Sequence, residues 1–368
     1  MDKIGETTLE IDLAALEHNY HFLKSKLTPK TKFLGVVKAF AYGSDMVAIG
    51  KKLAALGLDY LAVAYVKEGV LLRESGITLP ILVLHPQPIH FKALIDHNLE
   101  PSLYSPKVLR EFLEIVKKLG KSEYPTHIKF NTGLNRLGFW ENDVEYIIAQ
   151  LRGRKELKIK GVLSHLAASD DDDERAFSLK QIETFTKISL EIEQALGYMP
   201  LRHMLNTSGI LNYPGSEFDM VRSGIGLYGY GNHPDFDKEL LPVATLKTVI
   251  SQRHKIEPDE SVGYNRAYRS DGYRITATLP LGHADGIGRH YGRENTYVLV
   301  KGKKAPIIGN VCMDMIMIDV TDIDCKEGDE VIVFGRQHSA EEFAHTANSI
   351  SYEILTAISS RVKRVIKT

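Results

Sequence analysis

The chain has 368 residues, 43% of them hydrophobic and 25% charged, with 46 basic against 47 acidic side chains and a formal net charge of -1. The length favours two domains with enough apolar material for a large core, and the composition is close to that of an average soluble globular protein. Balanced charge without a basic stripe argues against a dedicated nucleic-acid binder.

The two cysteines, Cys312 and Cys325, are too few for a disulfide scaffold in so long a chain and favour a reducing compartment. The N-terminal MDKIGETTLEID lacks a basic-then-apolar signal pattern. The apolar runs are far too short to span a bilayer. The expectation is a soluble cytoplasmic protein with no membrane and no nucleic-acid partner.

From about residue 30 to 230, short β-rich runs alternate with amphipathic helical stretches. The runs are Phe33–Lys38, Tyr60–Ala64, Ile81–Leu84, Leu99–Leu103, Thr126–Phe130, Ile159–His165, Arg202–Leu205 and Asp219–Arg222. Between them lie helical segments such as Ser105–Leu119, opened by Pro106 after Ser105, and Glu174–Leu196. Eight βα units are the closure number of a (β/α)8 barrel, with an open doubly wound sheet as the alternative. Asp170–Glu174, five consecutive acids, read as a solvated helix start favoured by the macrodipole rather than as a metal site, and no metal is expected.

After about residue 235 the pattern becomes mostly β. Strands are expected at Val243–Ile256, Tyr273–Leu281, Thr296–Val300, Ala305–Ile308, Met315–Val320 and Glu330–Phe334, separated by turns such as Glu257-Pro258-Asp259. Helices near Ala340–Ser349 and Tyr352–Ile358 precede a last strand at Val362–Ile366. The division is therefore residues 1–236 for an α/β barrel and 237–368 for a β-rich domain, with the first strand-like residues free to pair with the second domain.

Chemistry collects where strands end, because the C-terminal rim of a barrel carries its active site. Lys38, in VVKAFAYG, ends an apolar strand, where desolvation favours the neutral amine that Schiff-base formation needs. Read by position alone, a snorkelling lysine is an equal alternative. Lys129 to Phe139, KFNTGLNRLGF, follows another strand, and Arg136 offers bidentate geometry for a carboxylate or phenolate. Ser164-His165 ends the sixth run, Asn206-Thr207-Ser208-Gly209 follows the seventh, and Arg222-Ser223-Gly224-Ile225-Gly226 follows the eighth. Small residues after the last two strands suit a phosphate cradle of backbone N–H groups, with Arg222 beside it. A rim lysine, a phosphate cup and two arginines suggest a phosphorylated aldehyde cofactor.

These segments resemble the alanine racemase family over essentially the whole chain. VVKAFAYG resembles its cofactor-lysine motif, FNTGLNRLGF its DTGMxRxG segment and FDMVRSGIGLYG its MVRxGIxxYG segment; Val262-Gly263-Tyr264, LGHADG, GNVCMD and ISYE follow in the family's order. The resemblance implies a pyridoxal 5'-phosphate enzyme that racemises alanine and supplies D-alanine for peptidoglycan, acting as a homodimer with shared active sites. It implies that Lys38 forms the internal aldimine and is the base toward the D-amino acid, and that Tyr264 of the partner subunit is the base toward the L-amino acid. Tyr42, Thr207, Gly224, Ile225 and Tyr352 would hold the phosphate, with Asn206 beside them. Arg222 would contact the pyridine nitrogen, and Arg136 the ring oxygen and the substrate carboxylate. Met313 of the partner subunit would complete the carboxylate site, His165 would help lower the tyrosine's pKa, and Lys129 matches a position often carbamylated.

Racemisation needs a base on each face of Cα, which this pair of residues supplies. Phe40, His283 and Asn310 depart from the usual asparagine, tyrosine and arginine, and bear on substrate size and rate. The alternatives are a decarboxylase of ornithine-decarboxylase type, a racemase of serine or lysine, and a non-catalytic pyridoxal-phosphate carrier. The carrier resembles the barrel alone and has no use for a second base.

Overall fold

The computed structural model describes residues 6–368, so the first five residues, on which part of the N-terminal reading rests, lie outside the described residues. A first strand, β1 (Thr8–Asp12), precedes the barrel strands β2 (Lys32–Val36), β3 (Tyr60–Val63), β4 (Ile81–Val83), β5 (Glu100–Leu103), β6 (Tyr124–Lys129), β7 (Leu157–Leu163), β8 (Leu201–His203) and β9 (Met220–Ser223). All eight pair in parallel and in chain order, and β9 closes on β2 with Lys32 opposite Met220. The open-sheet alternative falls with that closure. The strands lie between the barrel interior and a layer of helices, which is why β3 (YLAV) and β4 (ILV) are wholly apolar.

The helices begin where the local chemistry places them. Ser105 caps Pro106–Lys118, its Oγ accepting from the Val108 amide at 3.3 Å. Arg175–Leu196 starts after the exposed acidic run and ends at Gly197, whose φ of +75° suits a glycine.

The second domain is built from β10 (Ala244–Val249), β11 (Gln252–Ile256), β12 (Ser261–Val262), β13 (Tyr268–Arg269), β14 (Arg274–Leu279), β15 (Tyr297–Val300), β16 (Lys303–Ile308), β17 (Ile316–Asp319), β18 (Glu330–Phe334) and β19 (Lys363–Lys367). Nine strands form one sheet in the order β11-β14-β17-β16-β15-β18-β10-β1-β19, and β12 and β13 form a small hairpin. The single strand expected over Val243–Ile256 is two. Between them the Ile250 amide donates to Asp329 and the Ser251 amide to Thr278, so the chain changes partners and β11 joins the opposite edge. The helix expected over Ala340–Ser349 ends at His345.

β1 pairs with β10 antiparallel and with β19 in parallel, which threads the start of the chain through the second sheet. No helix of the described residues is long and apolar enough to cross a membrane.

Candidate active site

A cavity of about 680 Å³ opens at the C-terminal rim of the barrel. Lys38, Tyr42, Lys129, Arg136, His165 and Asn206 all line it, as do Thr207, Arg222, Gly224, Ile225 and Tyr352. Four of these are cations, and among the described residues no aspartate or glutamate lines the cavity.

Lys38 reaches the rim by an unusual route. Its strand ladder stops at Val36, and Ala39, Phe40, Ala41 and Tyr42 follow with φ between 53° and 55°. Four consecutive non-glycine residues in the left-handed region are costly and persist only where the surroundings over-determine them. Here Glu68 accepts from the Ala39 amide at 2.6 Å and from the amides of Ala64 and Tyr65 at 2.8 and 3.0 Å. Gly43 closes the turn with φ of +78°, so near the helix Ser351–Ala357 that a Cβ would lie 2.0 Å from the Leu355 carbonyl. Arg364 Nη2 donates to the Gly43 carbonyl at 2.9 Å. The second domain thus clamps the turn that presents Lys38.

The same turn throws Tyr42 across to the end of β9. Its ring lies 4.5 Å from that of Tyr228 and 5.9 Å from that of Tyr352, and its Oη occupies the space beside Gly224 where a Cβ would be. Thr207 Oγ1 bonds Ser223 Oγ at 3.0 Å and accepts from the Gly226 amide at 3.2 Å. The Ile225 amide is the first of a 3-10 turn and has no partner within it. Asn206 caps the short helix Thr207–Asn212 through Oδ1 and the Gly209 amide at 2.9 Å. Together these groups form a polar cup at the end of β8 and β9. Tyr352 reaches it from the second domain, with Asn232 Nδ2 donating to its Oη at 3.4 Å.

Arg222 is buried on the cavity wall. Its terminal nitrogens donate to the carbonyls of Ser164, His203 and Met204 at 2.7 to 3.0 Å, and to Nδ1 of His165 and His203 at 3.1 and 3.0 Å. All its contacts are to neutral acceptors, so its charge is unneutralised at the wall. Burial and then Arg136 lower the pKa of Lys38; Glu68 opposes them, and Arg222 adds a lesser downward push. Burial and the same two arginines bring Lys129 down to about 8. His165 is held well below its ordinary range by burial and by Arg222. Both lysines are therefore biased toward the neutral amine, which is the nucleophilic form.

Tyr264 and Met313 are not in this cavity. Both sit in the second domain with 70% and 59% of their surface exposed, and neither lines the barrel pocket of their own chain. Asn310 is buried beneath Tyr264: its Nδ2 donates to the Tyr264 carbonyl at 2.9 Å, and its Oδ1 accepts from Arg293 at 2.9 Å. Phe40 and His283 are exposed.

The cavity also has walls that the motif reading passed over. Tyr65 and His85 follow the ends of β3 and β4 and pack ring against ring, with centroids 5.7 Å apart. The rim rule that singles out Lys38 applies to them equally.

The chain matches the model "Alanine racemase, N-terminal domain" over residues 11–232 and "Alanine racemase, C-terminal domain" over residues 243–366. The chain belongs to the alanine racemase family. It is 35% identical to "Alanine racemase 2" of Caldanaerobacter subterraneus subsp. tengcongensis, over 99% of this chain and 95% of that one. Its fold is similar to that of the alanine racemase of Clostridium difficile 630, with a TM-score of 0.92 and 35% identity over 98% of this chain and 96% of the other. A Bartonella henselae alanine racemase with covalently bound pyridoxal phosphate is similar with a TM-score of 0.90 and 28% identity, over 99% and 100% of the two chains. Within the alanine racemase family, the match spans both the barrel and the β-rich domain that a carrier lacks.

Proposed function

We propose that this protein is an alanine racemase that interconverts L- and D-alanine, with pyridoxal 5'-phosphate as cofactor, and so supplies D-alanine for peptidoglycan. The observation that carries the reading is the single cavity in which four cations, among them a lysine biased to its neutral form, meet a polar cup with no acidic residue. Such a pocket suits a dianion that also bears an electrophile. The fit is specific: the space beside Gly224 admits the Tyr42 hydroxyl, and the cup offers hydroxyls and a free amide to a phosphate.

When bound, the cofactor withdraws electrons from the amino acid's Cα and so acidifies its proton. Everything else falls to the chain. Lys38 would join the cofactor and carry the proton on one face of Cα. Tyr42, Thr207, Gly224, Ile225 and Tyr352 would hold the phosphate, with Asn206 shaping the cup. Arg222 would face the ring nitrogen as a donor, which keeps that nitrogen from taking a proton of its own. Arg136, exposed at the mouth, would take the substrate carboxylate bidentately. His165 keeps Nδ1 toward Arg222 as an acceptor, which leaves Nε2–H for the second base.

That second base would be Tyr264 of the partner subunit, with Met313 of the partner subunit at the carboxylate. Their exposure in one chain supports a homodimer in which each barrel is completed by the other chain's β-rich domain. The cofactor unit would run to about residue 236. Lys129, brought down to about 8 and so with roughly a tenth of its amines uncharged at pH 7, would take up carbon dioxide through that neutral form, forming an N–C bond and losing a proton to solvent, to give an anionic brace for Arg136. A cytoplasmic site of action agrees with unpaired Cys312 and Cys325.

The test is incubation with a panel of L-amino acids in deuterated water, followed by chiral analysis. D-alanine carrying deuterium at Cα is the expected product. Retention of L-alanine with no exchange would refute the reading, and faster turnover of serine or lysine would move the specificity to a larger side chain.

A further inference from the structure

Arg222 is a buried cation that touches no carboxylate among the described residues, yet an unbroken path of side-chain hydrogen bonds leads from it to one. Arg222 Nη1 lies 3.0 Å from His203 Nδ1, His203 Nε2 lies 3.0 Å from His127 Nδ1, and His127 Nε2 lies 3.0 Å from Glu100 Oε2. These residues come from β9, β8, β6 and β5, so the path crosses the barrel interior. Glu100 opens β5, at the end away from the cavity, and is 5% exposed. Its other oxygen accepts from the half-exposed Lys160 at 2.6 Å, and Tyr60 Oη lies 3.4 Å from Oε2.

The path has a direction. A guanidinium only donates, so His203 accepts at Nδ1 and carries its single ring proton on Nε2. It donates that proton to His127 Nδ1, which puts the His127 proton on Nε2. His127 then donates to a carboxylate, which only accepts. A donor-only group at one end and an acceptor-only group at the other leave one self-consistent arrangement, with each imidazole carrying one proton. The barrel makes room for it: on β7, a Cβ at Gly161 would stand 2.3 Å from His127 Nδ1. Buried polar groups at this depth are costly unless every member is satisfied, and in both rings every nitrogen is.

We infer that Glu100 and His127 are positioning residues: through His203 they hold Arg222 in one orientation and act as its remote counter-charge beneath the cofactor. Each link polarises the next, so the carboxylate makes His127 Nδ1, and in turn His203 Nδ1, a stronger acceptor for Arg222. The groups facing the Glu100 end are Lys160, Arg73, Tyr60 and Tyr124, and those facing the Arg222 end are Arg136, Lys129, Lys38 and His165. The role of Arg222 at the ring nitrogen rests on the proposed function; the direction of the path does not.

The test separates the two. Glu100→Gln keeps the shape and removes the charge, and Lys160→Met removes the cation that competes with His127 for the carboxylate. In imidazole-15N-labelled protein without cofactor, His127 and His203 should both be protonated at Nε2 alone. The His203 resonances, two residues away, should move in opposite directions in the two variants. Equilibrium binding of pyridoxal phosphate should weaken about tenfold in Glu100→Gln, tighten in Lys160→Met, and be insensitive to Glu100→Gln once Arg222→Lys is present. A His203 spectrum untouched by both substitutions would overturn the inference. So would a Glu100→Gln loss that persists in the Arg222→Lys background, since that is ordinary loosening of the core. If Glu100→Gln does not fold, Lys160→Met decides by the sign of its shift. Should the wild-type protein bind no pyridoxal phosphate, the proposed function fails, while the nitrogen spectra still decide whether the path is polarised.

Discussion

Gly224→Ala is the substitution that bears most directly on the polar cup. The added methyl would lie 2.1 Å from Tyr42 Oη and 2.9 Å from Cζ. No Cβ tolerates the first of these distances, so the phenol must leave. It has little room to do so: Tyr42 is 7% exposed, packed against Tyr228, and fixed to a left-handed turn. Losing a hydroxyl donated to a phosphate costs about 1.5–3 kcal/mol, and disturbing the ring pair costs roughly 0.5–1.5 kcal/mol more. The sum, about 2–4.5 kcal/mol, weakens cofactor binding by roughly 30- to 2,000-fold.

Titration of the apoprotein with pyridoxal phosphate, followed by equilibrium dialysis, measures it directly. The double variant Tyr42→Phe/Gly224→Ala removes the atom in the worst clash. It should bind no more weakly than Gly224→Ala alone, because contacting residues do not act additively. A Gly224→Ala protein that binds within about a factor of three of wild type, or a double variant whose losses simply add, would refute the placement of Tyr42 at the phosphate.

Lys129, held at about 8 when folded against 10.5 unfolded, binds fewer protons folded between those values. It therefore penalises folding in full below about pH 8, and the penalty fades as the pH rises toward 10.5. Lys129→Met in bicarbonate-free buffer should then stabilise the fold at pH 7 by on the order of 3 kcal/mol, converging on wild type in alkali; denaturant melts showing a pH-independent difference would contradict this. Borohydride treatment of the holoprotein should fix the cofactor to Lys38, and peptide mass spectrometry placing it on another lysine would remove that assignment. Lys38→Ala and Tyr264→Phe homodimers should each be nearly inactive, and exchanging their subunits should restore up to about half of the wild-type activity per heterodimer. No recovery, with exchange confirmed, would mean that the two residues do not meet across subunits.

The barrel was legible because burial on both faces forces its strands to be apolar, and eight such runs have few other ways to close. Lys38, Arg136, Arg222 and the residues after β8 and β9 stood out because polar chemistry at the end of an apolar strand has a fixed place on a barrel. Tyr65 and His85 obey the same rule without a motif to mark them. Glu100, His127 and His203 left no such trace. They lie on three different strands with no shared motif, and what joins them is the closure that brings β5, β6, β8 and β9 around one interior.

The turn after Lys38 was the least readable element, for a physical reason. Ala39-Phe40-Ala41-Tyr42 contains no glycine, and local propensity favours a right-handed turn at such residues. Its left-handed path is imposed from outside, by the Glu68 carboxylate on three amides and by the second domain closing over Gly43. A lysine whose presentation depends on contacts from both domains can be recognised from its neighbours in sequence. Its geometry exists only when the β-rich domain is docked, so substitutions at Leu355 or Arg364 should disturb cofactor attachment without touching the cavity itself.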